Sequence, residues 1–320
     1  MIIGTVKKRF GGETMYDILI IGAGPAGMTA AIYGQRGGKK TIVFDKLSYG
    51  GQVINTAEVA NYPGIPNMTG LDFADKTYNQ MKDLGAEMSY EEISEIRDAD
   101  KPIKTVITTS GKEYQCKAII IATGSSPRPL GVENEDRFRG AGISYCATCD
   151  GAFFRDKTVA VCGGGNTALE DAEVLSDIAE KVYLVHRRDE FRADATNVKR
   201  VKSKKNVELV LDSVVTAIKG ERFIQGIDVE NKITGEKREL KIDGLFVAIG
   251  QMPENDIFKD VVKLNKAGYV EAGEDCLTGT DGIFTAGDCR AKKVRQITTA
   301  VSDGAIAALA AIEHINKTEY

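Results

Sequence analysis

Twice along its 320 residues the chain passes from an apolar strand into a glycine turn and then into a helix. No other feature restricts the fold as much, because each turn has to bring a strand, a helix and a second strand together. The first copy begins Asp17-Ile18-Leu19-Ile20-Ile21, an apolar run suited to a parallel strand buried on both faces. It meets Gly22-Ala23-Gly24-Pro25-Ala26-Gly27 and continues into a predicted helix over 28–35. Thr41-Ile42-Val43-Phe44 is the next predicted strand and ends at Asp45. In such a unit Gly22 permits the tight turn, Gly24 lets a pyrophosphate approach the backbone, and Gly27 lets helix and strand pack closely. The helix start offers N–H groups and a positive dipole end to phosphates. Asp45 stands about 20 residues on, where a carboxylate accepts hydrogen bonds from a ribose diol.

The second copy has a predicted strand over 157–162, then Gly163-Gly164-Gly165-Asn166-Thr167-Ala168, a helix over 169–179 and a strand over 181–185. Gly244 to Gly250 echoes the earlier strand 118–121, which ends in Ala122-Thr123-Gly124. The duplication implies two similar dinucleotide-binding units, and the length suits two domains of about 100–200 residues each. The copies differ where the second strand ends. Asp45 closes the first; His186-Arg187-Arg188 closes the second, with Arg192 one turn on. A carboxylate there would repel a ribose 2′-phosphate, whereas a guanidinium pairs with it, so the second site favours NADP over NAD. The plainer reading is a solvated charge run, since Asp189 and Glu190 share the segment.

Just before the second copy lies Cys146-Ala147-Thr148-Cys149-Asp150. A Cys-x-x-Cys pair is half a zinc site, a redox pair or a coincidence. Zinc needs further ligands at similar spacing. The only histidines, His186 and His314, are far apart, and Cys116, Cys162, Cys276 and Cys289 form no second short-spaced pair. A redox dithiol is therefore favoured over a metal site, since this spacing lowers thiol pKa. Six cysteines are too few for a disulfide scaffold, and in a reducing cytosol such a pair cycles rather than staples. The formal charge of −4 argues against nucleic acid as a main partner. No apolar run reaches the roughly 18 residues of a membrane span, and 1–13 reads as a leader or arm without a secretory cleavage site.

Between these landmarks, 49–66 is a loop region containing Gly50-Gly51-Gln52 and Asn61-Tyr62-Pro63-Gly64. Residues 71–84 are predicted helical. A hairpin is expected from 105–109 and 113–116 through Ser110-Gly111-Lys112, followed by a separate strand over 118–121. Near the end, a predicted strand over 282–286 runs into Gly287-Asp288, and Arg295-Gln296 leads into a helix over 297–312. Asp288 is placed to bind a ribityl hydroxyl or to cap a turn. The start of the last helix suits an anion or carbonyl, and the rest reads as close-packed core. Cys289 reads as a small buried residue.

With these residues in order, the sequence resembles the low-molecular-weight, bacterial-type thioredoxin reductases from Tyr16 onward. The resemblance is carried by Gly22 to Gly27, Gly50-Gly51-Gln52, Ala122-Thr123-Gly124, Cys146 to Asp150, Gly163 to Glu170, His186 to Ala193, Gly287-Asp288 and Arg295-Gln296. It implies an α/β fold of two Rossmann-like three-layer domains, with an NADPH domain (127–253) inserted into a discontinuous FAD domain (14–126 and 254–320). It implies FAD at Gly22, Gly24, Pro25, Ala26, Gly27, Asp45, Lys46, Gly50, Gly51, Gln52, Asn61, Ala122, Thr123, Gly124, Gly287, Asp288, Arg295, Gln296 and Ile297. NADPH is implied at Gly163, Gly165, Asn166, Thr167, His186, Arg187, Arg188, Arg192, Ile249 and Gly250. No metal is implied. By the same resemblance Cys149 faces the flavin, Cys146 attacks the thioredoxin disulfide and Asp150 is the general acid–base. The family alternates two domain orientations about the crossings near 125–129 and 251–254. A homodimer in the cytoplasm is implied as well. Asp45 departs from the glutamate of many relatives, and 1–14 has no recognised counterpart.

Other readings separate cleanly. The same core with ferredoxin or a deazaflavin as donor has no use for the second glycine turn and its arginines. A peroxidase-linked relative would need an added thioredoxin-like domain. A non-catalytic dinucleotide sensor has no use for Cys-x-x-Cys-Asp, and a flavin oxidase would turn over with oxygen alone.

Overall fold

The computed structural model describes residues 15–56, 58–65 and 67–318, and every element named here belongs to them. The leader or arm read at 1–13 lies outside these residues. The chain divides into two compact units. One takes the described residues up to Ile54, Gly70–Ser126 and those from Pro253 on; the other takes Asn55–Thr69 and Pro127–Met252. The sequence assigns 55–69 to the first unit. In the structure this segment folds as a loop closed by a bridge between Val59 and Met68 and groups with the second.

The first unit opens with β1 (Met15–Ile21), α1 (Pro25–Arg36), β2 (Thr41–Phe44), α2 (Gly70–Asp83), β3 (Glu87–Ser89), β4 (Ile93–Arg97), β5 (Lys104–Thr108) and β6 (Glu113–Ile121). A crossing strand, β7 (Ser125–Pro127), follows. The second unit holds β8 (Ile143–Ser144), α3 (Ala147–Asp150), β9 (Thr158–Cys162), α4 (Asn166–Ser176), β10 (Lys181–Val185), α5 (Ala195–Ser203) and β11 (Val207–Val210). It continues through β12 (Ser213–Gly220), β13 (Ile224–Asn231), β14 (Lys237–Lys241) and β15 (Gly244–Val247). The returning crossing, β16 (Gln251–Pro253), pairs with β7, and β17 (Ile283–Thr285) and α6 (Ile297–Thr318) complete the first unit.

The first unit's sheet has the order β3-β2-β1-β6-β5-β4, with β17 also on β6. β6 pairs with β1 along one edge and serves two partners along the other. Glu113 to Cys116 pairs antiparallel with β5, while Ile119 to Ile121 pairs parallel with β17. The sequence splits this strand at Lys117, a charged residue between apolar ones. The ladder continues through it, and the Lys117 ammonium reaches Asp17 Oδ1 at 2.8 Å. Alternate residues of the strands face two cores. Ile18, Ile20, Ala118 and Ile120 pack with Met28, Ala307 and Ala311 of the helices. Leu19, Ile21, Ile119 and Ile121 pack with Val106, Tyr114 and Phe258. Coverage of both faces is why these strands read as continuous apolar runs.

In the second unit β11-β10-β9-β15-β8 form a sheet, and β12-β13-β14 form another. β9, β10 and β15 present Ala160, Tyr183 and Leu245 to Ile218, Ile227 and Leu240 of the antiparallel sheet. Their other face carries Val161, Leu184 and Phe246 against Leu169, Ala172 and Leu175 of α4. Both glycine-turn helices start earlier than the sequence suggests. Pro25 is the first helical residue of α1, a position where a fixed φ and a missing N–H are tolerated. Asn166 opens α4 directly after Gly165. α6 extends six residues past the predicted 312, to Thr318. Among the described residues no helix is long and apolar enough to cross a membrane.

Candidate functional site

In the first unit the turn after β1 is shaped by close backbone approach. A Cβ on Gly22 would lie 2.2 Å from the Ala122 carbonyl oxygen, and one on Gly27 would lie 1.8 Å from the Gly22 oxygen. So Gly22, Gly27 and Ala122 meet at one sheet edge, with Thr123 and Gly124 just beyond. Gly51 packs against the Gly24 Cα, and the Gly50 N–H donates to the Ala23 oxygen at 2.8 Å. A Cβ on Gly24 would meet nothing within 4 Å. α1 begins there without a side-chain cap and without an acidic residue in its first turn. An open helix start of this kind fits a phosphate.

Asp45 anchors the same corner. Its Oδ2 accepts from the Ala23 N–H at 2.9 Å, and its Oδ1 accepts from Leu47 N and Ser48 N at 3.0 and 3.3 Å. Oδ2 keeps one acceptor position for a ribose hydroxyl. Lys46 is exposed and paired with Glu254 and Glu92. Gln52 Nε2 lies 3.5 Å from Ser126 Oγ. Asn61, expected in this set, is exposed and falls within the second unit.

The end of β17 supplies the other wall. Asp288 Oδ1 is buried without a hydrogen-bond partner. Burial pushes its carboxyl up, while the Lys292 and Arg295 charges pull it down. Such an orphaned acceptor fits a hydroxyl-bearing ligand. Three residues that the sequence reading missed hold this wall. Asp303 takes Arg290 Nη2 at 3.1 Å, Lys292 Nζ at 2.9 Å and the Gly287 N–H at 3.0 Å. Lys292 also stands 3.9 Å from Asp288 Oδ1. Asn255, fully buried, accepts from Thr123 Oγ1 at 2.9 Å and donates to the Gly268 and Cys289 carbonyls. Arg295 stacks over Tyr269 at 4.2 Å, and Gln296 precedes Ile297, the first residue of α6. Cys289 is buried and bonded to Thr285 and to the Ile121 carbonyl, which matches its reading as a small core residue.

The second unit repeats the first turn. A Cβ on Gly163 would lie 2.4 Å from the Ala248 oxygen, as Gly22 faces Ala122, and Ile249 and Gly250 follow at the edge. A Cβ on Gly165 would find its nearest neighbour, the Arg192 oxygen, only at 4.0 Å. Asn166 closes the turn by pairing with Asp194 through both amide atoms, and Thr167 is exposed. His186 is buried, stacked on Phe191 and bonded through Nε2 to the Glu190 carbonyl at 3.1 Å. Burial and the three nearby arginines push its imidazole below the usual range, favouring the neutral ring. Arg187, Arg188 and Arg192 are exposed around it, and the Arg192 N–H donates to the Gly164 carbonyl at 2.7 Å. The arginines thus stand together beside an open helix start, a fit for a phosphate-bearing nucleotide.

Cys146 and Cys149 form a disulfide with Cα atoms 5.3 Å apart. Cys146 is the N-cap of α3, and the short helix ends on Asp150. The Asp150 carboxyl is raised by burial and lowered by Ser144, whose hydroxyl donates to Oδ2 at 2.6 Å. Ser144 also accepts the Cys146 N–H at 3.1 Å. No motif marks this serine in the sequence. Beneath the pair, Asp171 on α4 accepts the Ala147 N–H, and burial lifts its carboxyl to about 6. Of the aromatics after the pair, Phe154 packs edge-on against Phe246 at 5.2 Å while Phe153 is 42% exposed. A disulfide beside a carboxyl poised to hold a proton can exchange with another disulfide.

Residues 16–304 match the model of the pyridine nucleotide-disulphide oxidoreductases. A thioredoxin reductase of Listeria monocytogenes is 41% identical over 306 residues, covering 95% of each chain. The crystal structure of a thioredoxin reductase from Streptococcus pyogenes superposes with a TM-score of 0.90 at 38% identity, over 96% of this chain and 100% of that one. A Lactococcus lactis thioredoxin reductase, solved in what is described as an FR conformation, gives 0.66 at 39% identity, over 94% and 99%. With two glycine turns and a paired Cys146–Cys149 between them in sequence, the chain belongs to the pyridine nucleotide-disulphide oxidoreductase family and, within it, to the thioredoxin reductases.

Proposed function

We propose that this chain carries electrons from NADPH through FAD to Cys146–Cys149, and from there to the disulfide of thioredoxin or a thioredoxin-like protein. The observation that carries the reading is the disulfide itself, closed beside Asp150 in the unit whose strand β10 is followed by three arginines. FAD belongs to the first unit, where the Gly22–Gly27 turn would hold the pyrophosphate, Asp45 the adenosine ribose and Asp288 the ribityl chain. NADPH belongs to the second, with the 2′-phosphate among Arg187, Arg188 and Arg192. Bound in these sites, NADPH and FAD would supply the hydride and two-electron transfer that reduces the disulfide.

The protein's own residues do the rest. Cys149 receives the electrons, Cys146 attacks the acceptor disulfide, and Asp150 holds and returns the proton that thiol exchange requires. The two units alternate in arrangement between half-reactions; the FR conformation of a solved relative supports that part of the reading. The chain acts as a homodimer in the cytoplasm.

An anaerobic visible titration tests the whole route. Flavin bleaching by NADPH at far lower concentration than NADH, reversed by oxidised thioredoxin, is the expected result. Bleaching by dithionite but by neither nucleotide would overturn the donor and point to ferredoxin or a deazaflavin. A Cys149→Ser variant that still passes NADPH electrons to thioredoxin would overturn the dithiol route.

A further inference from the structure

We propose that Ser144 is the positioning residue of the dithiol chemistry: its single hydroxyl bridges the Cys146 N–H and the Asp150 carboxylate and so fixes which carboxyl oxygen handles the proton. The proposal rests on the disulfide-reductase reading above and deepens it. Ser144 is 5% exposed. It ends β8, a two-residue strand held in register by Phe246 of β15. Its backbone is therefore set by the sheet rather than by the loop that carries the cysteines.

The hydroxyl has one proton and several neighbours. It accepts from Cys146 N at 3.1 Å and donates to Asp150 Oδ2 at 2.6 Å; the Cys146 carbonyl, at 3.3 Å, is the more distant acceptor. Cys146 and Asp150 are the N-cap and the last residue of α3, so one side chain ties both ends of the redox helix. With Oδ2 held as an acceptor, a proton arriving at Asp150 resides on Oδ1. The groups around this carboxyl are few. Burial and Ser144 account for its shift. The thiols of Cys146 and Cys149 join it once reduced, and on the packed helix α4 Asp171 faces Ala147, with Glu170 beside Asp171.

The exchange balances with these groups. The Cys146 thiolate attacks one sulfur of the acceptor disulfide; a mixed S–S bond forms as the acceptor's S–S bond breaks, and the second sulfur departs as a thiolate. Asp150 takes the Cys149 thiol proton and delivers it to that departing sulfur. The Cys149 thiolate then attacks Cys146 and closes the enzyme disulfide, and the last acceptor sulfur leaves as a thiolate and takes its proton from water. Two electrons pass to the acceptor. Ser144 transfers none and only keeps Oδ1 as the working oxygen.

The test uses the flavin-loaded enzyme as wild type, Ser144→Ala, Ser144→Thr, Asp150→Asn and the Ser144→Ala/Asp150→Asn double variant. Carbon-13 carboxyl NMR of the oxidised protein follows Asp150 directly, its resonance identified by its loss in Asp150→Asn. Removing the hydroxyl is expected to move the Asp150 midpoint to higher pH by about half a unit or more, roughly threefold in the proton affinity, and Ser144→Thr to restore it. In single-turnover oxidation of the prereduced enzyme by thioredoxin, Ser144→Ala is expected to be slower by about tenfold, yet to add nothing in the Asp150→Asn background. An unmoved Asp150 midpoint in Ser144→Ala, or an equal slowing in both backgrounds, overturns the proposal. A wild type that does not react with thioredoxin overturns the functional reading instead, while the NMR titration still decides on Ser144.

Discussion

Gly164 and the imidazole of His186 are in direct apposition: a Cβ on the glycine would lie 2.1 Å from Cε1 and 2.2 Å from Nδ1. The middle residue of the second glycine turn is thus a floor for the ring that heads the arginine cluster. Gly164→Ala displaces the ring and, with it, the 186–192 segment that binds back on the turn through Arg192 N–H. The KM for NADPH should rise about tenfold or more, with a smaller change in kcat. Steady-state kinetics at saturating thioredoxin check this, with flavin absorbance as the control for folding.

Arg187→Gln with Arg188→Gln removes two guanidinium groups from the end of β10. Hydrogen bonds to charged groups contribute about 1.5–3 kcal/mol each, or roughly ten- to a hundredfold in affinity. The KM for NADPH should climb by that factor or more while that for NADH stays level, so the NADPH/NADH preference collapses. An unchanged preference would place the 2′-phosphate elsewhere.

Asp288→Ala takes away the half-buried carboxyl whose Oδ1 lacks a hydrogen-bond partner, while Lys292 keeps its pair with Asp303. Flavin should be lost during purification, seen as a fall of several-fold in the visible-to-ultraviolet absorbance ratio. Asp288→Asn retains a polar group of the same shape and should hold more flavin than alanine does. Equal flavin content in all three proteins would remove Asp288 from the binding wall.

Asp171 predicts a pH dependence of stability. Its carboxyl titrates near 6 in the folded chain against a usual value of 3.8. A raised pKa means that the folded state binds the proton more tightly. The stabilisation is therefore complete below about 3.8 and is lost as pH rises through 6. Asp171→Asn keeps an oxygen for the Ala147 N–H and carries no charge. It should be more stable than wild type at neutral pH, by ~1–3 kcal/mol, and flatter between pH 4 and 6. Denaturant titrations at several pH values measure both.

What the sequence made legible follows a physical pattern. Runs such as 17–21, 118–121 and 181–185 announce themselves because both faces of each sheet are covered, so no polar residue interrupts them. The two glycine turns are legible because backbone approach at Gly22, Gly27 and Gly163 excludes a side chain. The Cys146–Cys149 pair is legible from its spacing together with the lack of further zinc ligands at similar spacing. Ser144, Asn255 and Asp303 were not, since each acts through a single hydrogen-bonding group at a place fixed by distant chain: β15, the Thr123 loop and the Arg290–Lys292 segment. The antiparallel β12–β14 sheet went unread for a related reason. Its one-sided alternation, as in Ile224, Ile227 and Val229, is weaker than a continuous apolar run. Asn61 belongs to a loop whose grouping depends on tertiary packing rather than on any local signal.

The late arrival of β17 has a consequence for synthesis. Ile119 to Ile121 of β6 pair early with Leu19 to Ile21 of β1, but on their other edge they meet Ile283 to Thr285 only 164 residues later. At about 5–20 residues per second, a ribosome leaves that half of the strand without its second neighbour for roughly ten to thirty seconds. The parallel sheet of the inserted unit, β8 to β15, is finished before β17 leaves the ribosome. The nascent chain therefore completes its middle before its beginning, carrying a bare apolar sheet edge meanwhile. Such an edge is a template for wrong pairing between chains. A chain halted before β17 should be a client for chaperones and should aggregate when they are scarce.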